Sequence, residues 1–202
     1  MIIGVTGGVG SGKSAVMDIL KTDFDMDVIL ADEVGHEVMD DISGEAYAHI
    51  IDHFGRGILD DKTLKIERSK LAGLVFNNKK ELEVLNSIVH PAVKKEILSR
   101  IHKLKQVKGG NAFVAVEAAL LLEDNYDAIC DRVIYVYADE KVRRERLKST
   151  RGYTDEKIDS IIRNQMSEEE FKRRTDDMVD NSNGLEDTRA SLQKIVDKYK
   201  GL

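Results

Sequence analysis

Short apolar runs alternate along this chain with segments in which apolar residues recur every three or four positions. Runs at 2–5, 27–32, 112–117 and 132–137 are long enough for buried strands, and 177–181 predicts a shorter last strand. The segments between them have the period of amphipathic helices. Strands this apolar, alternating with helices, are typical of a parallel sheet covered on both faces. The pattern therefore predicts an α/β fold with three layers.

The longest stretch without a strand pattern runs from about 33 to 108 and reads as mostly helical. A helix over residues 33–39 is expected to open it. Farther on, Pro91 biases His90 away from helical geometry and suits the first position of a new helix, which continues to Gly109 and Gly110. We expect a helical insertion between the second and third strands. His90 is a candidate functional residue, although a lone histidine more often has a structural role.

A glycine-rich loop follows the first strand and fits G-x-x-x-x-G-K-[ST] at every fixed position. Its glycines let the backbone N–H groups turn inward, and the next helix offers its positive end to an anion. Lys13 can reach the β- and γ-phosphates of a nucleotide, and the Ser14 hydroxyl suits Mg²⁺. The expected phosphate contacts are Gly8, Val9, Gly10, Ser11, Gly12, Lys13, Ser14 and Ala15. A turn without chemistry is the alternative, but strand, spacing and helix all favour a phosphate site.

Two carboxylates follow predicted strands at the edge where ligands bind in open parallel sheets. Asp32 ends the second strand, where an acceptor could meet the γ-phosphate; it could also cap the next helix, and the two roles are compatible. Glu117 ends the third strand, where it could hold a water bound to Mg²⁺. A cap or an ion pair is an equally good interpretation of Glu117.

Positive charge concentrates between residues 143 and 175. Arg143 and Arg146 are three apart and share a helix face, which Asp139 is expected to cap. A break at Arg151 precedes a second helix beginning at Thr154, and Ser167 with Glu170 forms a capping box. This segment predicts a hinged lid whose cations cover the transferred phosphoryl group. A solvated helical face is the alternative.

Composition narrows the class of protein. The chain has 202 residues, 42% of them hydrophobic and 34% charged, which favours one principal domain with insertions. The net charge of −6 argues against a general nucleic-acid binder. The single cysteine, Cys130, excludes an intrachain disulfide and indicates a reducing compartment. Met1 lies too close to the first strand for a signal peptide, and no apolar run approaches the roughly 20 residues that span a bilayer. We therefore expect a cytoplasmic protein with no membrane or obligate protein partner.

A series of short motifs runs along the chain: the loop at 4–14, Ala31-Asp32, Arg68 with Leu71 and Val75-Phe76, His90-Pro91, Leu120 and Leu121 with Glu123, Arg146, Arg151, Gln165, and Asp177 with Asn181. In this order and spacing they resemble the motifs of the dephospho-CoA kinase family, and the resemblance covers nearly the whole chain. Two positions depart from the family pattern. Leu30 stands where an aspartate is frequent, and Ala119 stands where a proline is frequent.

The resemblance implies a single P-loop kinase domain over residues 1–202, with an acceptor-binding insertion at about 33–108 and a lid at about 143–175. It implies transfer of a phosphoryl group from ATP to the ribose 3′-hydroxyl of dephospho-CoA, giving coenzyme A and ADP with Mg²⁺ as cofactor. Carried over by the resemblance, Asp32 would be the base for that hydroxyl or the residue that orients it, with Arg68 and His90 on the acceptor side. Arg146 and Arg151 would close over ATP, and Lys13, Asp32 and Arg146 would be the catalytic set.

Two other functions fit parts of the sequence. A kinase for a nucleoside monophosphate, gluconate or shikimate would have a similar loop, but His90-Pro91 and the ending at 177–181 argue against it. A nucleotide-dependent switch usually carries Asn-Lys-x-Asp after a strand. The closest match here, at 78–81, ends in glutamate and lies between helical segments, and the Asp-x-x-Gly at 52–55 follows a helix. We interpret both matches as coincidence.

Overall fold

A parallel sheet lies at the centre of the first of two compact units. The computed structural model describes residues 1–108 and 112–201. Its strands are β1 (Ile2–Thr6), β2 (Asp27–Leu30), β3 (Val114–Glu117), β4 (Arg132–Tyr137) and β5 (Asp177–Asp180). They lie in the order β2-β3-β1-β4-β5, and Val5 of β1 is in register with Glu117 of β3 and Ile134 of β4. The three-layer α/β prediction is confirmed.

The burial of the strands agrees with their places in the sheet. Every residue of β1 is buried, and β4 is buried along its four central positions, as expected of strands covered on both faces. β5, at one edge, alternates between buried and exposed positions. With β1 in the centre, the loop that follows it emerges between the ends of β3 and β4.

The described residues contain nine α-helices, in both units. They are α1 (Lys13–Thr22), α2 (Ala31–Asp40), α3 (Glu45–Phe54), α4 (Arg68–Val75), α5 (Lys79–Val107), α6 (Glu140–Arg151), α7 (Asp155–Arg163), α8 (Glu168–Arg174) and α9 (Leu185–Lys200). Short 3₁₀ turns lie at Arg56–Ile58 and Asp127–Ile129. Helix α1 packs against β1 and β3, and α9 packs against β5.

The chain divides into Met1–Ile29 with Lys108–Leu202, and Leu30–Val107. The second unit contains α2 to α5, with α5 packed against the other three helices. Its core is formed by Tyr47, Ile50, Ile58, Leu59, Ile66 and Leu71. The helical character predicted for residues 33 to 108 is confirmed.

The predicted end of the second strand at Asp32 is wrong. Strand β2 ends at Leu30, which is the N-cap of α2 in an extended conformation, and Asp32 lies in the first helical turn. The alternative role of Asp32 as N-cap is wrong for the same reason. A carboxylate in this turn is favourable because the N-terminal end of a helix carries partial positive charge.

The predicted interruption at Pro91 is also wrong. Helix α5 continues through His90 and Pro91 to Val107, and the predicted ending at Gly109 and Gly110 lies outside the described residues. Pro91 removes one backbone donor from the helix. Beyond it, Val93, Ile97 and Ile101 are buried, so packing outweighs the local preference.

The segment predicted as a lid consists of three short helices, α6, α7 and α8. Helix α6 ends at Arg151, and Gly152 follows in a left-handed conformation. Thr154 and Ser167 accept hydrogen bonds from the backbone N–H groups of Lys157 and Glu170, which confirms the two predicted helix starts. Of the predicted capping box, only the Ser167 half is seen among the described residues, because the Glu170 carboxylate pairs with Arg173 at 3.1 Å. Asp139 occupies the N-cap of α6, but among the described residues its side chain caps no N–H and instead accepts from the Tyr137 hydroxyl at 2.7 Å.

Candidate active site

The glycine-rich loop joins β1 to α1 and turns sharply before the helix begins. The Ser11 N–H donates to the Gly8 carbonyl at 3.1 Å. Gly12 has φ 90°, a left-handed conformation, and a Cβ there would overlap the Asn181 amide nitrogen. Helix α1 begins at Lys13, so the N–H groups of its first turn have no acceptor inside the helix. The loop therefore presents the positive end of α1, the arrangement that binds phosphate.

Asn181 fixes the far side of this loop. It follows β5 and is buried, and its side-chain nitrogen donates to the Ser11 carbonyl at 2.7 Å. Its side-chain oxygen accepts from the Thr188 hydroxyl of α9 at 2.9 Å, and Thr188 is buried as well. The backbone at Ser11 is thereby tied to β5 and α9.

Lys13 lies between the loop and β3. Its Nζ donates to the Gly7 carbonyl at 3.0 Å and is 3.8 Å from a carboxylate oxygen of Glu117. The two side chains are only 13% and 14% exposed, so their attraction is weakly screened by solvent. Ser14, the next residue, is exposed. A phosphate at the loop would meet an ammonium group held in place from two directions.

Helix α6 supplies two further cations to the loop. Arg143 Nε donates to the Val9 carbonyl at 2.9 Å. Arg146 Nη1 donates to the Ser11 carbonyl at 3.3 Å, and its Nη2 donates to the Asn181 carbonyl at 2.8 Å. Burial lowers the pKa of the Arg143 guanidinium below its ordinary value. The shared helix face predicted for these two arginines is thus directed at the loop.

The structure brings together only part of the predicted set. The loop residues, Glu117 and Arg146 lie in the first unit at one edge of the sheet. Arg151 also belongs to this unit, but it ends α6 and lies against the Tyr153 ring, 6.0 Å from its centroid. Its expected contact with ATP stays a prediction.

The three expected acceptor residues lie in the second unit. Asp32 is an exposed residue in the first turn of α2, and His90 is within α5. Arg68 begins α4 and forms an ion pair with Asp40 at 3.3 Å. Their roles toward an acceptor stay predictions.

The donors near the loop suit a hard divalent cation. The Ser14 hydroxyl and the Glu117 carboxylate offer oxygen, the element that Mg²⁺ prefers. Within residues 1–108 and 112–201 no three His, Cys, Asp or Glu side chains are grouped as a metal site. These donors therefore fit an ion that completes its coordination with the phosphates of a nucleotide and with water.

Four contacts around the loop were not predicted from the sequence: those of Asn181, of Thr188, of Arg143 with Val9, and of Gln165, whose side-chain oxygen accepts from the Val9 N–H at 3.3 Å. Gln165 and Asn181 are named there only as family motifs, without a role. Thr188 carries no sequence signal, because it is one more small residue in an amphipathic helix. Arg143 could be inferred from its spacing to Arg146, but its partner Val9 could not.

The structure also bears on the other readings of the sequence. Asn78, which begins the closest match to a guanine-recognition motif, lies between α4 and α5, and residues 79–81 are in the first turn of α5, so the match does not follow a strand. Over the described part of the chain, no helix combines the length and apolar character needed to cross a bilayer.

Comparisons with a family model, with related sequences and with solved structures find the same family of proteins. A family model described as dephospho-CoA kinase matches residues 1–187. A dephospho-CoA kinase from Carboxydothermus hydrogenoformans is 36% identical over 98% of this chain and 94% of its own length. One from Geobacillus kaustophilus is 35% identical over 100% of this chain and 98% of its own. Among solved structures, a dephospho-CoA kinase from Campylobacter jejuni is similar with a TM-score of 0.73 and 26% identity, covering 99% of this chain and 98% of that one.

Proposed function

The chain belongs to the dephospho-CoA kinase family, and from this premise we propose which of its residues hold each substrate. The family catalyses the last step of coenzyme A synthesis, in which ATP phosphorylates the ribose 3′-hydroxyl of dephospho-CoA. The protein is therefore an ATP-dependent kinase. The observation that carries our assignment is the convergence of Lys13, Arg143 and Arg146 on the loop at the carboxyl edge of β1.

ATP binds with its phosphates in this loop. The N–H groups at the start of α1 and the Lys13 ammonium face the β- and γ-phosphates, as the hydrogen-bonded geometry of the loop supports. Arg146, whose Nη1 donates to the Ser11 carbonyl at 3.3 Å, exchanges that bond for one to a phosphate oxygen. Arg151, at the end of α6, joins it. The segment from α6 to α8, already bonded to the loop, covers the nucleotide, which excludes water and so suppresses hydrolysis of ATP.

Dephospho-CoA binds to the helical unit, which contains Asp32, Arg68 and His90. The Asp32 carboxylate accepts the proton of the 3′-hydroxyl as that oxygen attacks the γ-phosphorus. The exposure of Asp32 in the first turn of α2 supports this role, because the carboxylate is accessible to a ligand. Arg68 and His90 orient the acceptor from α4 and α5.

The family implies a divalent metal ion, and we propose that it is Mg²⁺. The Ser14 hydroxyl and Glu117 would hold it, Glu117 through a water. When bound, the ion neutralises charge on the transferred phosphoryl group. Lys13 positions the Glu117 carboxylate at the end of β3 by its proximity.

The direct test is product analysis after incubation with ATP, Mg²⁺ and dephospho-CoA. Mass spectrometry should show coenzyme A and an equal amount of ADP. An acceptor lacking the 3′-hydroxyl is the control, and it should give neither product. Phosphorylation of that analogue, or of shikimate or gluconate at a comparable rate, would contradict the assigned acceptor.

The role of Asp32 is tested by Asp32→Asn. This change should leave folding intact and lower the turnover number by about 10²–10⁴, because the amide cannot accept the proton. Glu33→Gln, which removes the same charge from the neighbouring exposed residue, is the matched control and should retain activity. Near-normal turnover of Asp32→Asn would remove Asp32 from the mechanism.

Two broader expectations from the sequence are proposals as well. Activity should need no protein partner, which purified protein in the assay above tests. We also propose a cytoplasmic location, which fractionation of cells with immunodetection would test.

A further inference from the structure

Both backbone groups of Val9, in the glycine-rich loop, are hydrogen-bonded to side chains of the segment 140–174. Its carbonyl accepts from Arg143 Nε at 2.9 Å, and its N–H donates to the Gln165 side-chain oxygen at 3.3 Å. The same Gln165 oxygen accepts from Arg143 Nη2 at 2.7 Å. Arg143, Gln165 and Val9 therefore form a closed set of three hydrogen bonds.

Gly8, the residue before Val9, lies directly against the same guanidinium. A Cβ on Gly8 would lie 2.5 Å from Arg143 Nη2 and 2.7 Å from its Cζ, which no side chain could tolerate without displacing the arginine. Arg143 is also partly buried, so its hydrogen bonds meet limited competition from water. Within the described residues it forms no salt bridge; its charge is satisfied by the Val9 carbonyl and by Gln165.

We propose that Arg143 and Gln165 are positioning residues that hold the loop in its phosphate-binding conformation without touching the nucleotide themselves. The guanidinium has a fixed planar fork, which suits it to hold two acceptors at once. A loop already held in its bound conformation loses less conformational entropy when ATP binds. This inference rests on the proposed placement of the ATP phosphates in the loop.

The proposal is tested by steady-state kinetics on Arg143→Lys, Arg143→Gln and Gln165→Leu in the full chain. Each variant should raise KM for ATP by about five- to tenfold, the size expected for losing hydrogen bonds of this kind. KM for dephospho-CoA should change by less than about twofold, because the acceptor does not depend on Val9. Arg143→Lys should resemble Arg143→Gln, since a lysine keeps the charge but cannot hold Val9 and Gln165 together.

Two comparisons separate positioning from general effects. Lys141→Gln removes one positive charge from the first turn of the same helix, where Lys141 is exposed and makes no side-chain bond to the rest of the described chain; it should leave KM for ATP unchanged. The double variant Arg143→Gln/Gln165→Leu should raise KM for ATP no more than either single variant. Residues that act through one shared group are not additive.

Three results would overturn the proposal. Wild-type KM for ATP in Arg143→Lys would mean that charge alone matters. Multiplied effects in the double variant would mean that the two residues act separately. A loss confined to kcat would mean that Arg143 touches the transferred phosphoryl group.

Hydrogen exchange tests the proposal if a variant is too unstable for kinetics. In the Gln165→Leu protein the Val9 amide should exchange faster than in the wild type, while the exchange of the β1 amides should not change. Failure of the wild-type chain to bind ATP at the loop would instead refute the ATP site itself.

Discussion

Asn181→Ala should destabilise the protein although it changes only one uncharged side chain. The asparagine is 2% exposed and bonds both the Ser11 carbonyl, at 2.7 Å, and the Thr188 hydroxyl, at 2.9 Å. After the change, Ser11 keeps only the longer bond from Arg146, at 3.3 Å, and Thr188 keeps one to the Gly184 carbonyl, at 3.4 Å. Both groups stay buried with poorer partners.

The magnitude follows from these losses. Two buried hydrogen bonds contribute about 1 kcal/mol each, and the void left by the amide adds about 1 kcal/mol. The free energy of unfolding should therefore fall by about 3 kcal/mol. For a chain of this length, that corresponds to a decrease in Tm of roughly 6–12 °C.

The assay is thermal unfolding followed by circular dichroism, with two companion variants. Asn183→Ala, an exposed residue of the same type, should change the free energy of unfolding by less than about 0.5 kcal/mol. Thr188→Val removes one of the two bonds and should cost about 1 kcal/mol. A Tm for Asn181→Ala within about 2 °C of the wild type would refute the reasoning.

Three further predictions concern the metal, Glu117 and the cysteine. Chelation by EDTA should stop phosphoryl transfer and excess Mg²⁺ should restore it; activity that survives chelation would contradict the proposed cofactor. Glu117→Gln should raise the Mg²⁺ concentration needed for half-maximal activity several-fold, whereas an unchanged value would leave only the ion pair with Lys13. Burial raises the pKa of the Cys130 thiol to about 12, so the thiolate fraction at pH 8 is on the order of 10⁻⁴. Iodoacetamide should therefore label native Cys130 far more slowly than the urea-unfolded chain, and equal rates would contradict its burial.

The sheet and the loop could be predicted because their signals are local. Buried parallel strands read as continuous apolar runs, and the residues 132–137 predicted for the fourth strand are those of β4. The glycine pattern needs only its own spacing. The common helix face of Arg143 and Arg146 could be predicted for the same reason, since residues three apart in a helix lie on the same side.

Three features of the structure could not be predicted: the end of the second strand, the continuity of α5, and the bonds between the loop and residues distant in sequence. In the run at 27–32, Ala31 favours a helix over a strand, but one residue does not outweigh the apolar residues before it, so Asp32 was placed one element too early. The predicted break at Pro91 relied on the local preference of proline, which is outweighed by the packing of the buried residues beyond it. The hydrogen bonds that the Val9 N–H donates to Gln165 and that Asn181 donates to the Ser11 carbonyl join positions more than 150 apart, and no local pattern encodes them.

The order of strands in the sheet has a consequence for synthesis. Strand β1 pairs with β3 and β4, and Ile3 is in register with Ala115 and Arg132. At a translation rate of 5–20 residues per second, β1 is synthesised roughly 5–22 seconds before β3, the first of these neighbours. The contiguous helical unit is made during that interval. We therefore expect chaperones that bind nascent apolar segments to protect the first strand until its neighbours arrive.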